Sequence, residues 1–326
     1  MQQHNYLLEA LAQSRTRQSW NDRLTHWERP ASDSEEAMIE RAAATVRALM
    51  SKNRWFAEEG VQVAPQGSYY NNTNVRLESD LDIRAVHPLI RAVYANDVIA
   101  DTANAVLQYT PAGRDFLQVA EQMRSEMAAE SMGEFGVLNV DAGGNKAIRV
   151  NGVPGSRAPV DVVPCFQLHY VQWNPAVGRY FVTKGIAIFS RGDGRLTMNF
   201  PDQHHENGVR KRARTQLRFK RNVRMLKRLR DELVESRVFG AQEVPSFLVE
   251  CLVYGVEDQY FLVETDDRYD RLVRIVTRIY EQLDDPTCVS NALEINEVKF
   301  LFRPELGWTA DAAKRFTAAA WNRLMA

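Results

Sequence analysis

Gln66-Gly67-Ser68-Tyr69-Tyr70-Asn71-Asn72-Thr73-Asn74-Val75-Arg76-Leu77-Glu78-Ser79-Asp80-Leu81-Asp82-Ile83 is the stretch on which the reading of this chain turns. Side chains alternate along a β-strand, so Asp80 and Asp82, bracketed by apolar Leu81 and Ile83, point to one face and can hold metal ions against a single phosphate. Upstream, Gln66 leads into Gly67, which lets the backbone approach a phosphate closely, and Ser68, whose hydroxyl can donate to its oxygens. An isolated Asp-x-Asp is common at solvated strand edges and in turns. The specific signal is the order Gly-Ser, short loop (residues 69–79), Asp-x-Asp.

Two divalent ions held about 3.5–4 Å apart need more oxygens than two carboxylates supply. A third acid is expected on a neighbouring strand, and Ala158-Pro159-Val160-Asp161-Val162-Val163-Pro164 provides Asp161. A lone Asp in a Val-rich strand is costly to bury unpaired, so a metal or a cation should meet it; the alternative is a strand end facing water. Together these segments form the pattern of a nucleotidyltransferase palm.

The 326 residues, 45% hydrophobic and 25% charged, suit one large or two ordinary globular domains. Cys165, Cys251 and Cys288 have no paired spacing, which excludes a cysteine zinc site and fits a reducing, cytoplasmic compartment. The start is polar and no long apolar run occurs, so neither a leader nor a membrane span is expected. The net charge of −1 hides an asymmetry: residues 210–230 hold 11 Lys or Arg and no acid, leaving 30 basic against 42 acidic residues elsewhere. That concentration predicts a local anion site and argues against stable nucleic-acid binding over a broad basic surface, although some of these cations simply decorate a solvated helix face.

Helical spacing of Ile39, Ala42, Ala43, Val46, Leu49 and Met50, with Ser32, Glu35 and Glu36 as a capped start, predicts helix over much of residues 6–58. Strand character follows over 60–87, then helices over 92–108 and 115–132. Residues 146–150 and 160–166 read as a strand pair across the turn 151–155, and 186–190 with 196–200 as a hairpin around Gly192-Asp193-Gly194. Helices return after Pro201, at 246–260, 269–283 and 310–325, with Phe219, Val223, Leu226, Leu229 and Leu233 as a packing stripe. The expected organisation is an N-terminal helical segment (1–59) packed on the core, a palm (60–203) and a C-terminal helical lobe (204–326), with a cleft between palm and lobe.

The run from Gln66 to Asp82 resembles the cGAS/DncV-like nucleotidyltransferases (CD-NTases) of bacterial anti-phage (CBASS) signalling. Asn207-Gly208 with Lys211 and Thr215 is similar to that family's Asn-Gly-x-x-Lys segment. Phe219-Lys220 through Arg224 to Lys227 is similar to its basic helix, Pro245-Ser246-Phe247 with Glu250-Cys251-Leu252 to the helix that follows, and Trp308 to Trp321 to its terminal helix, most closely in the E clade. The resemblance covers about residues 60–326. It implies an α+β, polymerase-β-like nucleotidyltransferase core with a mixed sheet, N-terminal helices and a C-terminal helical lobe. It further implies synthesis of a cyclic dinucleotide or trinucleotide from NTPs and a separately encoded effector that the product switches on; a monomer is expected. Carried over by position, Asp80, Asp82 and Asp161 match the metal triad, Gln66, Gly67 and Ser68 the triphosphate loop, Lys227 and Ser246 phosphate contacts, and Phe247 an aromatic that stacks on a base. Oxygen-only ligands and phosphate call for Mg²⁺, with Mn²⁺ as a substitute.

Asn199, in Arg195-Leu196-Thr197-Met198-Asn199-Phe200-Pro201, resembles the residue at this position in E-clade members that use uridine. Its amide matches the N3 hydrogen and O4 of uracil, can also pair with an adenine edge, or can bond local backbone. His204 and His205 lack a third ligand at metal spacing and are expected in surface or cap roles. Trp20, Trp27 and Trp55 are expected in packing. Two other readings share the palm: a template-independent RNA or tRNA nucleotidyltransferase, which needs a long basic channel, and a non-catalytic nucleotidyltransferase-like module.

Overall fold

The computed structural model describes residues 2–30, 33–75, 81–110, 112–262 and 267–326. Asp80 and Ser32 lie outside the described residues. The chain forms two compact units, one of Asp33–Asn71 and Arg76–Asp202, the other of Met1–Ser32, Asn72–Val75 and Gln203–Ala326. Residues 1–59 therefore do not act as one N-terminal segment packed on the palm: α1 (Gln2–Trp27) goes with the C-terminal helices, and α2 (Asp33–Lys52) and α3 (Arg54–Glu59) go with the sheet. The cause is visible in the side chains, since Trp20 and Leu24 of α1 join the helical unit's core while Asn53, which caps α3, bonds Glu126 and Glu130 in the sheet unit.

The sheet unit comprises β1 (Gln62–Gln66), the short turn helix α4 (Gly67–Tyr70), β2 (Leu81–Tyr94), α5 (Ala100–Leu107), α6 (Phe116–Phe135), β3 (Val140–Asp141), β4 (Ile148–Val150), β5 (Val160–Asn174), β6 (Arg179–Phe189) and β7 (Leu196–Asn199). The order is β1-β2-β5-β4-β3, with β6 pairing β5 and β7. β2 and β5 run parallel and the other pairings are antiparallel, which makes the sheet mixed as expected. Alternation decides the faces. Leu81, Ile83 and Ala85 of β2 and Val160, Val162 and Phe166 of β5 are fully buried, and Phe166 meets Phe116 of α6 edge-on at 5.0 Å. The intervening residues, Asp82 and Asp161 among them, occupy the opposite face, where Val163, Cys165, Ile186 and Ile188 build a smaller core. One expectation fails here: residues 92–94 continue β2, because Ala92, Val93 and Tyr94 pair with His169, Tyr170 and Val171, and helix begins only at Ala100.

The helical unit holds α7 (Pro201–Arg214, from Gln203 on), α8 (Arg218–Glu235), α9 (Ser246–Gly255), α10 (Arg268–Asp284), α11 (Pro286–Asn291) and α12 (Ala310–Met325). The predicted stripe of α8, Phe219 to Leu233, is buried against Leu248 and Val253 of α9, Leu272 and Ile279 of α10 and Phe316 of α12. Each such side chain contributes about 1.5–3 kcal/mol by leaving water. Four of the 11 cations of residues 210–230, namely Lys211, Lys220, Arg224 and Lys227, are buried as well. Cys165 and Cys251 are buried free thiols and Cys288 is a partly exposed one. Among the described residues no helix is long and apolar enough to cross a membrane.

Candidate active site

Strand register builds one end of the sheet unit into a lateral row. Gln66 of β1 stands opposite Asp82 of β2, Asp82 opposite Asp161 of β5, and Asp161 opposite Arg149 of β4. Directly opposed residues share a face and lie about 5 Å apart, so the row reads amide, carboxylate, carboxylate, guanidinium. Like charges directly opposite destabilise a sheet. Arg149 Nη1, 3.8 Å from Asp161 Oδ1, offsets part of that repulsion from a half-exposed side chain. This is the cation partner that the buried-acid argument required, and sequence reasoning missed it; drawing the β4–β5 hairpin register would have found it.

Gly67 sits at φ +75°, a backbone conformation that disfavours any side chain. A Cβ there would lie 2.0 Å from Asp82 Oδ2, so the glycine is what lets the turn abut the carboxylate. Ser68 follows, partly buried. Gln66 is 7% exposed and its Oε1 has no hydrogen-bond partner among the described residues. Among the described residues no group of three His, Cys, Asp or Glu is gathered to hold a metal ion. Asp82 and Asp161 are the two carboxylates of the expected triad that are described, and Asp80 is not. The donor set fits a hard cation: two opposed carboxylates with the bare backbone of Gly67 beside them.

Asn199 belongs to the same face, because it pairs with Ile186, and Ile186 with Gln167, on the Asp161 side of β5. Its Oδ1 accepts the Phe200 N–H at 3.0 Å, the local-backbone alternative realised for the acceptor half of the amide. Among the described residues no hydrogen bond engages its Nδ2.

In the helical unit Lys227 is not displayed as a surface charge. It is 2% exposed, and its ammonium donates to Glu250 Oε2 at 2.8 Å and to the Thr73 carbonyl at 3.1 Å. Thr73 Oγ1 donates to Glu250 Oε2 at 2.9 Å, and His204 Nε2 lies 3.1 Å from Glu250 Oε1. Burial alone would raise the Glu250 carboxyl, but the Lys227 and His204 partners outweigh it and hold it well below the carboxylate range. His204 is thus neither a surface nor a cap residue. It is buried because Glu250 needs a second partner, and its ring also lies 5.9 Å from that of Phe247. Phe247 is 37% exposed and 6.1 Å from Trp308, while Ser246 opens α9 on the surface. The unit therefore brings Lys227 and His204 together on Glu250, with Phe247 beside the His204 ring, and no hydrogen bond ties Ser246 to that group among the described residues. Glu250 carried a signal of its own, an acid inside the apolar run Phe247-Leu248-Val249-Glu250-Cys251-Leu252-Val253.

Residues 206–325 match the model of the cGAS/DncV-like nucleotidyltransferase C-terminal helical domain. The chain is 34% identical to a cyclic dipyrimidine nucleotide synthase, CdnE, of Legionella pneumophila over 316 residues, covering 93% of this chain and 97% of that one. It is 30% identical to a cyclic dipurine nucleotide synthase of Elizabethkingia meningoseptica over 307 residues, covering 92% and 97%. The solved structure of the E. meningoseptica CdnE cyclic dinucleotide synthase with GTP and Apcpp superposes with a TM-score of 0.71 at 28% identity, over 93% of this chain and 98% of that one. On sequence, helical domain and fold alike, the chain belongs to the cGAS/DncV-like nucleotidyltransferases, alongside the synthases named CdnE.

Proposed function

We propose that this chain is a cyclic oligonucleotide synthase that joins nucleoside triphosphates into a cyclic dinucleotide. The observation that carries the proposal is the opposed pair Asp82 and Asp161 beside the bare turn at Gly67, since a sheet gains nothing from two facing acids unless a cation and a phosphate are to come between them. Asp82 and Asp161, with Asp80, would hold Mg²⁺, or Mn²⁺ in its place. When bound, the metal neutralises charge on the transferring phosphate and lowers the pKa of the attacking ribose hydroxyl. Asp161 accepts the proton of that hydroxyl, Gly67 and Ser68 seat the triphosphate, and Phe247 offers a ring on which a base stacks.

Asn199 reads the base. Asn199 lies on the acid side of the sheet, and its Nδ2 is a donor for a carbonyl such as O4 of uracil, so UTP is the preferred pyrimidine substrate. Relatives named for dipyrimidine products, at 34% identity, and for dipurine products, at 30%, both match over more than nine-tenths of this chain, so the base rests on Asn199 and not on kinship. The product acts in the cytoplasm on a separately encoded effector in anti-phage defence, and the synthase works as a monomer. Four of the cations in residues 210–230 being buried removes them from any RNA-binding surface.

The test is incubation with all four NTPs and Mg²⁺, with and without RNA, followed by mass spectrometry. Phosphatase-resistant cyclic dinucleotides containing uridine are expected. Extension of the RNA with no small product would identify a template-independent RNA nucleotidyltransferase instead.

A further inference from the structure

The lateral row at the acid end of the sheet continues beyond Arg149. Asp141 of β3 stands opposite Arg149 on its other side, so the guanidinium lies in register between two carboxylates, Asp161 and Asp141. Directly opposed residues of antiparallel strands share a face with Cα atoms about 5 Å apart, so a long, half-exposed arginine reaches either neighbour by a change of rotamer alone. Arg149 Nη1 is 3.8 Å from Asp161 Oδ1. Asp141 is exposed; its Oδ1 accepts the Gly143 N–H at 2.8 Å, and its Oδ2 has no partner among the described residues. The strands themselves are fixed, because buried Arg124 of α6 donates to the Ala142 and Gly144 carbonyls of the β3–β4 turn at 3.2 and 2.6 Å. Arg84, the cation two residues beyond Asp82 on the same face of β2, is committed to Asp202 Oδ1 at 2.5 Å.

We infer that Arg149 is a displaceable counter-ion of the metal site, which neutralises Asp161 until that carboxylate takes up a dication and then moves across to Asp141. A guanidinium this close to a carboxylate opposes a divalent cation at the same oxygens, and Asp141 weakens that opposition by giving the guanidinium a second place to rest. Arg149 is thus a positioning residue that sets how tightly the acids hold metal before a nucleotide arrives. The inference rests on the synthase reading above, which puts the metal at Asp82 and Asp161.

The experiment titrates Mn²⁺ into the full chain without nucleotide, counts the free ion by electron paramagnetic resonance, and records thermal melts with and without Mn²⁺. Arg149→Gln should bind Mn²⁺ about tenfold more tightly than wild type, and Arg149→Lys, which keeps the charge, should stay within about threefold of it. Asp141→Asn should bind about threefold more weakly, and that loss should vanish when Arg149→Gln is also present, because it acts through the arginine. Without Mn²⁺, Arg149→Gln should melt below wild type, since the facing acids lose their counter-charge, and Mn²⁺ should raise its melting temperature more than that of wild type. Unchanged Mn²⁺ affinity in Arg149→Gln, with the melting temperature lowered equally in the presence and absence of the ion, would make the arginine purely structural and overturn the inference. An Asp141→Asn loss of the same size with and without Arg149 would overturn it too, by making Asp141 a distant charge that acts on its own. Asp161→Asn separates this inference from the reading beneath it. If Asp161→Asn binds Mn²⁺ as wild type does, the metal site of the synthase reading fails and the inference with it; if it binds weakly while Arg149→Gln is unchanged, only the inference fails. A wild-type chain that shows the expected Mn²⁺ pattern but forms no product defeats the synthase activity and leaves the role of Arg149 standing.

Discussion

Asp82 and Asp161 are lateral partners on adjacent parallel strands, two carboxylates held side by side on one face of the sheet. Neither is among the buried core side chains, so removing either charge should spare the fold. Asp82→Asn and Asp161→Asn are expected to lower product formation by at least about 10²-fold, the contribution of a positioned acid–base group. Their unfolding temperatures should stay close to wild type, because Asn keeps the shape and relieves the repulsion. Steady-state product assays with parallel thermal melts check this, and either variant retaining wild-type synthesis would reject the role.

Gly67 offers a sharper test of the same site, because the damage comes from geometry. Gly67→Ala places a methyl where Asp82 Oδ2 now sits, 2.0 Å from it, at a φ of +75°. The carboxylate must move, and a misplacement of about 1 Å costs on the order of 10²-fold in rate. Gly155→Ala is the control, with a similar φ of +71° and nothing within 4 Å of the new Cβ. It should incur only the backbone cost of roughly 1–2 kcal/mol and keep its activity. Equal activity losses in the two variants would show that backbone strain, not the approach to Asp82, is responsible.

Asn199→Ser removes the amide nitrogen while a hydroxyl can still bond the Phe200 N–H that Oδ1 now serves. The fold should hold and the base preference should move. In a competition between UTP and a purine triphosphate, the product ratio is expected to shift toward the purine by about tenfold or more, the scale of losing one readout hydrogen bond. An unchanged ratio would assign Asn199 to its backbone bond alone.

How much of this was legible in the sequence follows from the range of the forces involved. The Gly-Ser turn, the two acids of β2 and β5, the hairpin around Gly192-Asp193-Gly194 and the terminal helix Ala310–Met325 are written in local pattern, and the structure has them where periodicity and turn residues put them. The extension of β2 to Tyr94 was not, because Ala92 and Val93 suit a helix as well and only pairing with β5 decides. The burial of His204 and Lys227 was hidden for a different reason. Both depend on Glu250, which also binds Thr73 across 177 positions of sequence, and no local pattern reports so distant a partner. Arg149 is intermediate: invisible as a lone arginine, evident once its strand is set against that of Asp161.

Glu250 is the point where stability and site organisation meet, and its ionisation makes the link measurable. Glu250→Gln leaves Lys227 buried without its counter-ion, which should destabilise the protein by about 3–5 kcal/mol and loosen the Thr73 segment that Lys227 and Glu250 both hold. The pH dependence has a definite sign. The Glu250 carboxyl is held below its ordinary value of 4.5 in the folded chain, so its ionised form stabilises the fold at pH values above 4.5, and that contribution fades as the pH falls further. Glu250→Gln has no such contribution to lose. The gap in unfolding temperature between wild type and Glu250→Gln should therefore be widest near neutrality and narrow as the pH is taken below 4.5. Thermal melts of both proteins across that range measure it, and a gap that stays constant with pH would mean that Glu250 is not the charged partner of Lys227.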